Sequence, residues 1–472
     1  MSFNSYSFLL AFLPLCMIVF YLVIRKIDNK VLCVYLSFIS LIFCFLSGIR
    51  TILFLAFSIL INYAILLILG KKHSKLITAL GIVLNVGALG YFKYYNMFID
   101  VTNALTGSEF HIKELILPLG ISFITFQQIT ILVDEYKDDK RCCSFAEYCA
   151  FITFFPHISS GPILTQAQFL PQIRKDFKTV NWDIISDGIY IFAIGLAKKV
   201  LLADTLGKAV DAGYADIASL NGISTWYIVI GYTLQIYFDF SGYSDMAVGI
   251  AKMFNIELPI NFDSPYKARN ILEFWDKWHI TLTKFFTKYL YIPLGGNRKG
   301  YFRTLLNTMI VFVISGLWHG ADYTFVIWGF LHGVFMVLTK IFIKPLKKVP
   351  DILSTAATFL IVNFLWVFFR APSLHTALDV FKRLVSPGVV LDSSICAGYS
   401  HILGINIPET FTMIPAWIFM ILCLLIVFVP KNVYEYLNNH TKKKSLAIYA
   451  IVLLTVCVLS FSGVTTYIYN GF

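Results

Sequence analysis

The stretch ILFLAFSILINYAILLIL (residues 52–69) contains no charged side chain. A bilayer core needs about 20 mostly apolar residues to be crossed by one helix, so this stretch predicts a transmembrane helix. Similar runs recur along the whole chain, at approximately 7–24, 31–49, 52–69, 76–95, 115–133, 187–203, 224–250, 303–320, 323–343, 352–370, 411–430 and 445–464. Some of these runs are expected to be re-entrant, so the pattern predicts an all-α polytopic membrane protein with about eleven transmembrane helices.

The overall composition agrees with this interpretation. Of 472 residues, 58% are hydrophobic and only 14% are charged, against about 25% charged in average soluble domains. This excludes a soluble globular protein and a disordered chain, and it predicts one integral-membrane domain over residues 1–472. The excess of 38 Lys and Arg over 27 Asp and Glu is explained by cytoplasmic loops and membrane lipid, so no nucleic-acid partner is predicted.

Basic residues follow alternate spans, which predicts the orientation of the chain. Positive charge collects in cytoplasmic loops, and the exits of the first, third and fifth spans are basic. The N-terminus is therefore expected outside the cytoplasm. The basic residues concerned are Arg25, Lys26, Lys30, Lys71, Lys72, Lys75, Lys137, Lys140 and Arg141.

The segment FWDKWHITLTKFFTKYLYIP (Phe274 to Pro293) has two helical periodicities. Lys277, Thr281, Lys284 and Lys288 would share one face of a helix, and an apolar face would include His279. The spacing predicts an amphipathic helix lying along the cytoplasmic membrane surface. An ordinary helix packed on the bundle explains the same pattern.

His319 lies within SGLWHGADYTF, between Gly316 and Gly320 and beside Trp318. Ionisable residues within membrane spans are costly to bury, so they are candidates for function. A neutral imidazole here could accept a proton from a hydroxyl and return it to a thiolate. The alternative is a buried imidazole that bonds to a carbonyl group and serves only structure.

Two further groups of polar residues are candidates. One lies within a span and either lines a cavity or bonds to neighbouring helices; it comprises Asp239, Ser241, Tyr243, Ser244 and Asp245. The other follows Gly295 and Gly296 and either holds phosphates of a nucleotide-containing donor or forms a plain cytoplasmic loop; it comprises Asn297, Arg298 and Lys299.

No metal site is predicted, because the sequence contains no CxxC or HExxH motif. The histidines other than His279 and His319 have no partner at metal-ligand spacing. We interpret them as structural or surface residues: His73, His111, His157, His332, His375, His401 and His440.

Several motifs occur in an order that resembles the membrane-bound O-acyltransferase family. They are LPLGISFITFQQITILVDEYK (117–137), FFPHISSGPI (154–163), QIYFDFSGYSDMAVGIAKMF (235–254), the block from 261 to 300, SGLWHGADYTFVIWGFLHG (315–333) and WVFFRAP (366–372). Within the family, the chain is most similar to the bacterial alginate O-acetyltransferase-like branch. The resemblance covers nearly the whole chain and implies a catalytic core of about residues 115–372.

The resemblance implies a ring of helices around a central tunnel. The family's invariant histidine falls on His319, the implied general base, and a second family histidine falls on His279. The residues expected to line or support the tunnel are Trp318, Trp278, Asp239, Ser241, Tyr243 and Asp245, and those expected to bind the donor are Asn297, Arg298 and Lys299.

The activity implied by the resemblance is transfer of an acyl group, usually acetyl, across a bacterial inner membrane. Acetyl-CoA is the implied cytoplasmic donor, with no bound cofactor. An extracytoplasmic SGNH-type acetyltransferase and an exported polysaccharide are the implied partners. The alternatives are a transporter or flippase, a non-catalytic scaffold, and D-alanyl transfer to teichoic acid. The polymer is not identified by the sequence.

Overall fold

A computed structural model describes residues 1–24, 27–112, 115, 117–137, 143–175, 180–402, 405–406, 408, 412–439, 443–461, 465 and 467–468. The fold is all-α, as predicted. Among the described residues, the β structure consists of an isolated bridge and one two-residue antiparallel pair, His401–Ile402 with Ile405–Asn406. The chain divides into two compact units. The single-domain organisation over residues 1–472 stays a prediction. The ring of helices around a central tunnel also stays a prediction.

The first unit comprises Met1–Phe192 and Met246–Pro259. It begins with a π-helical turn at Phe8–Phe12. Its helices are α1 Leu13–Leu22, α2 Asn29–Phe45, α3 Ile49–Leu69, α4 Lys75–Thr106, α5 Ile121–Lys137, α6 Phe145–Thr153, α7 Phe155–Ile158, α8 Gln166–Ile173 and the larger part of α9 Trp182–Ala197.

The second unit comprises Ala193–Asp245 and Ile260–Phe472. A π-helical segment, Lys198–Ala203, follows α9. The helices are α10 Asp204–Ala215, most of α11 Gly222–Met253, α12 Ile271–Lys277, α13 Ile280–Phe286, α14 Tyr301–His319, α15 Tyr323–Ile341, α16 Ile343–Leu346, α17 Asp351–Arg370, α18 Leu374–Arg383, α19 Ser393–Ala397, α20 Met413–Phe428, α21 Val433–Asn439 and α22 Lys443–Leu459.

Five helices within the described ranges are long and apolar enough to cross a membrane: α3, α4, α14, α15 and α17. Shorter apolar helices occupy other predicted runs near both ends of the chain, including α2 and α20. Every run predicted from hydropathy contains a helix, which confirms the polytopic membrane class. Four of the basic residues used for orientation, Arg25, Lys26, Lys140 and Arg141, lie outside the described residues.

The amphipathic helix predicted from Phe274 to Pro293 is wrong as a single helix. The chain leaves the helical conformation at Trp278, and His279 adopts the left-handed region with φ 46°. A π-helical turn, Thr287–Tyr291, then follows α13. Thr281, expected on the basic face, is buried. The break therefore divides the predicted stripe between two separate helices, α12 and α13.

A distant segment causes this break. Phe262 forms an antiparallel bridge with Trp278, and the Asn261 carbonyl accepts the Ile280 N–H at 3.0 Å. The Asn261 side-chain oxygen also accepts the Thr281 hydroxyl at 2.6 Å. These bonds replace helical ones at the junction, because Asn261 satisfies the first N–H and hydroxyl groups of α13.

Candidate active site

His319 is the last residue of α14 and only 2% exposed. Its imidazole contacts three aromatic rings, with centroid distances of 4.6 Å to Trp318, 5.0 Å to Trp328 and 5.1 Å to Phe369. Edge-to-face contacts of this kind hold a ring in one orientation. His319 is therefore a fixed imidazole in an apolar, aromatic environment.

Glycines on α14 and α15 allow the close packing that positions His319. A Cβ atom at Gly316 would lie 2.4 Å from the Phe325 carbonyl oxygen, and one at Gly329 would lie 2.4 Å from the Phe312 carbonyl oxygen. No side chain fits at such distances, so the two helices meet backbone to backbone. This contact brings Trp328 of α15 beside the end of α14.

His279 lies at the break between α12 and α13 and is 1% exposed. Its ring centroid is 4.8 Å from Phe240 and 6.4 Å from Trp318. Burial lowers the pKa of His279 to about 3, so its imidazole is neutral near pH 7. The structure thus brings the two predicted catalytic histidines together around one side chain, Trp318.

Asp239 and Asp245 form ion pairs rather than an open polar surface. Lys199 Nζ lies 2.7 Å from Asp239 and 2.9 Å from Asp204, and Lys198 Nζ lies 2.6 Å from Asp245. Both lysines belong to the π-helical segment after α9. The sequence interpretation missed these partners, although adjacent lysines in an apolar run were a visible signal.

The other predicted tunnel residues pack in the same unit. Tyr243 contacts the ring of Tyr467 at 4.9 Å, and Ser241 is fully buried. Trp278 packs on Phe262 and Trp366, both at 5.0 Å. Trp278 is therefore packed between aromatic rings next to His279 in the sequence. The predicted tunnel-lining roles of these residues stay predictions.

The predicted donor-binding residues Asn297, Arg298 and Lys299 lie in an exposed turn before α14. Gly295 and Gly296 have φ angles of 110° and 55°, which only glycine adopts readily. The Asn307 amide holds the turn by donating to the Gly296 carbonyl at 3.0 Å. The turn is therefore shaped and accessible, and its role with a donor stays a prediction.

A cavity of about 240 Å³ lies between α12, α13, α14 and α15. Three of its lining residues, Thr308, Phe312 and Ser315, precede His319 by eleven, seven and four positions on one face of α14. His319 is one turn beyond Ser315 and does not line the cavity. The full lining comprises Leu272, Trp275, Asp276, Leu282, Thr283, Phe286, Thr287, Tyr291, Thr308, Val311, Phe312, Ser315, Met336 and Lys340.

His332 was grouped in the sequence interpretation with histidines that are structural or at the surface. It is completely buried on α15, and its Nδ1 accepts the Trp275 indole N–H at 3.2 Å. Its ring also lies 4.8 Å from Trp328, which contacts His319. Among the described residues, no three His, Cys, Asp or Glu side chains are grouped to hold a metal ion.

The family comparison covers this whole site. The membrane-bound O-acyltransferase family matches residues 67–374, which include both histidines and the cavity. The chain belongs to this family. As an O-acyltransferase it is an enzyme, and the transporter and scaffold alternatives are set aside.

Relatives of this acyltransferase identify its branch. A peptidoglycan O-acetyltransferase of Helicobacter pylori is 39% identical over 81% of this chain and 79% of its own length. A probable alginate O-acetylase AlgI of Pseudomonas putida is 36% identical over 82% of this chain and 81% of its own length. A teichoic acid D-alanyltransferase of Bacillus subtilis is 28% identical over 56% of this chain and 71% of its own length. The acyltransferase therefore belongs to the alginate O-acetylase-like branch.

Proposed function

We propose that this acyltransferase moves an acetyl group from cytoplasmic acetyl-CoA to an acceptor hydroxyl outside the inner membrane, for O-acetylation of an exported polysaccharide. The observation that supports this most directly is the α14 face shared by the cavity and His319. Thr308, Phe312 and Ser315 line the cavity, and His319 continues their helical row. A thin thioester arm in the cavity would point along this row toward the imidazole.

His319 is the general base of the proposed reaction. As the acceptor oxygen attacks the thioester carbonyl, the neutral imidazole takes the hydroxyl proton. The C–S bond then breaks, and the imidazolium returns that proton to the CoA thiolate. The products are an ester and the CoA thiol, so His319 ends in its starting state. A positioned base typically contributes about 10²–10⁴-fold to such a rate.

His279 is proposed to orient the reacting groups through Trp318, which contacts both imidazoles. Asn297, Arg298 and Lys299 would meet the nucleotide end of CoA, because their turn is exposed. The proposed acceptor is an SGNH-type acetyltransferase, which would pass the acetyl group to the polymer. Support for a polysaccharide comes from the relatives named for alginate and peptidoglycan O-acetylation.

The variant His319→Gln tests the proposed function. It should lower acetyl-CoA-dependent CoA release by about 10²–10⁴-fold at equal membrane abundance, since glutamine cannot accept the proton. The control is His375→Gln, because His375 is exposed on α18 and pairs only with Asp379 among its described ion-pair partners. Base-labile acetate should be measured separately in peptidoglycan and in secreted polysaccharide. Normal acetylation in the His319 variant would contradict the proposal.

A further inference from the structure

Lys340 places a cation on the wall of the cavity. It lies one residue before the end of α15, and its Nζ donates to the Thr308 hydroxyl at 2.7 Å. The same Nζ lies 5.7 Å from the centre of the Tyr291 ring. Thr308 in turn donates to the Thr304 carbonyl, so its hydroxyl oxygen is held facing the lysine.

The described contacts leave this cation without a carboxylate partner. Among the described residues, neither Lys340 nor Asp276, which also lines the cavity, takes part in an ion pair. A lysine ammonium has three donors, and Thr308 uses one of them. A partly buried cation beside apolar walls is stabilised by an anion that enters the cavity.

We infer that Lys340 binds the phosphate at the end of the pantetheine arm of the acyl donor. This inference rests on the proposed function, in which the donor is a CoA thioester. It assigns phosphate recognition inside the cavity to a residue of α15. Asn297, Arg298 and Lys299 would then contact only the nucleotide that remains outside.

The length of α14 supports this assignment. Lys340 bonds to Thr308, and His319 follows Thr308 by eleven residues on the same helix face, which is about 16 Å at 1.5 Å per residue. Thirteen bonds join the phosphorus to the sulfur of phosphopantetheine, and an extended chain advances about 1.2 Å per bond, giving about 15 Å. An extended arm that follows this face of α14 from a phosphate at Lys340 would therefore bring its thioester carbonyl near His319, one turn beyond the cavity lining at Ser315.

The cavity wall also matches the chemistry of the arm. Phe286, Phe312 and Met336 offer apolar surface to the methylene and methyl groups. Thr283 and Thr287 also line the cavity, and each donates its hydroxyl proton to a backbone carbonyl, so the lone pairs of the hydroxyl oxygens remain as acceptors for amide N–H groups. A narrow chain with two amides and one phosphate fits these features.

The test compares ligands that differ only in the phosphate, using the full chain in nanodiscs. Lys340→Met should raise the Kd of phosphopantetheine and of CoA by about 10-fold or more, because a charged hydrogen bond is lost. The Kd of pantetheine should change less than about 2-fold, and Lys340→Arg should recover most of the phosphopantetheine affinity. The matched control is Lys344→Met, since Lys344 is exposed one turn further along.

The expected kinetic result is a raised KM for acetyl-CoA with kcat unchanged, because the phosphate is not a reacting group. Equal weakening of pantetheine and phosphopantetheine would overturn the inference, since it would give Lys340 a structural role. Loss of bound phosphatidylglycerol from Lys340→Met, with CoA affinity unchanged, would also overturn it and assign the phosphate to a lipid. Binding is measured without turnover, so failure of wild-type acetyl transfer would count against the proposed function alone.

Discussion

The second unit contains two buried polar regions that differ in charge. Around His279 and His319, the polar groups are imidazoles enclosed by aromatic rings. Around Lys198 and Lys199, the groups are charged and paired with aspartates at 2.6 Å and 2.7 Å. The sequence interpretation treated the aspartates and His319 alike, as polar residues within spans.

The difference has a physical basis. A buried charge is costly unless an opposite charge and hydrogen bonds compensate it, and a compensated pair is held rigidly. A neutral imidazole has a smaller desolvation cost, so it can stay buried and still exchange a proton. We therefore expect the paired region to determine stability and the imidazole region to determine turnover.

The largest effect expected from this comparison is at the Lys198–Asp245 pair. Lys198→Met should lower the free energy of unfolding by about 3–5 kcal/mol, because it leaves the buried Asp245 carboxylate with only the Tyr434 hydroxyl among its described hydrogen-bond donors. The double variant Lys198→Met/Asp245→Asn should recover most of that loss. Denaturant titration in a fixed detergent measures the free energy of unfolding of the single and the double variant.

Turnover in the double variant decides whether the two regions really differ. We expect CoA release per folded molecule within about 3-fold of wild type, since the proposed reaction assigns no step to Asp245, which bonds to Lys198 and Tyr434. A double variant that is stable but inactive would place the aspartate in the catalytic machinery, and the comparison would fail.

The sequence predicted the positions of the helices much better than the partners of its polar residues. Hydropathy is local, so every apolar run became a helix, including the runs that contain α3 and α14. The pairing of Lys198 with Asp245 joins residues 47 positions apart. No periodicity within either helix carries that information, because it depends on which helices meet.

The same reason explains the helix broken at His279. The periodicity of the segment is helical on both sides of the break, but Asn261 and Phe262 compete for the backbone groups at the junction. Local propensity yields to such tertiary bonds. The position of His319 at the end of an apolar run is a local feature that the sequence shows directly, and its role as general base stays a prediction.

Asn261→Ala should have a smaller effect on stability and a specific effect on the imidazole region. It removes the 2.6 Å hydrogen bond that the buried Thr281 hydroxyl donates to the Asn261 side chain, which should cost about 1–3 kcal/mol of unfolding free energy. It should also allow His279 to leave its left-handed conformation, because the hydrogen bonds from the Thr281 N–H and hydroxyl to the Asn261 side chain are lost. Turnover should therefore fall more than stability alone explains.

The matched control for Asn261→Ala is Asn270→Ala. Asn270 caps α12 by accepting the Glu273 N–H at 3.0 Å, and loss of such a cap costs about 1 kcal/mol. The two variants destabilise neighbouring helices, but only the first alters the His279 junction. Equal turnover in both, measured by CoA release at matched folded fraction, would count against a role for the His279 conformation.

The smallest effect is expected at an exposed ion pair in the first unit, which sharpens the contrast with Lys198–Asp245. Arg174 donates to both oxygens of Glu147, but its side chain is 51% exposed. Glu147→Gln should therefore lower the free energy of unfolding at pH 7 by about 1 kcal/mol or less. The Arg174 hydrogen bond lowers the pKa of Glu147 in the folded state. The stabilisation from the Arg174–Glu147 pair is thus complete above the unfolded pKa of about 4.3 and disappears as the pH falls through the lower folded value.

The free energies of unfolding of wild type and Glu147→Gln should differ at pH 7 and converge in acid, measured by denaturant unfolding across that range. A loss of unfolding free energy as large as that of Lys198→Met would contradict this comparison. It would show that exposure to solvent does not weaken the Arg174–Glu147 pair relative to the buried Lys198–Asp245 pair.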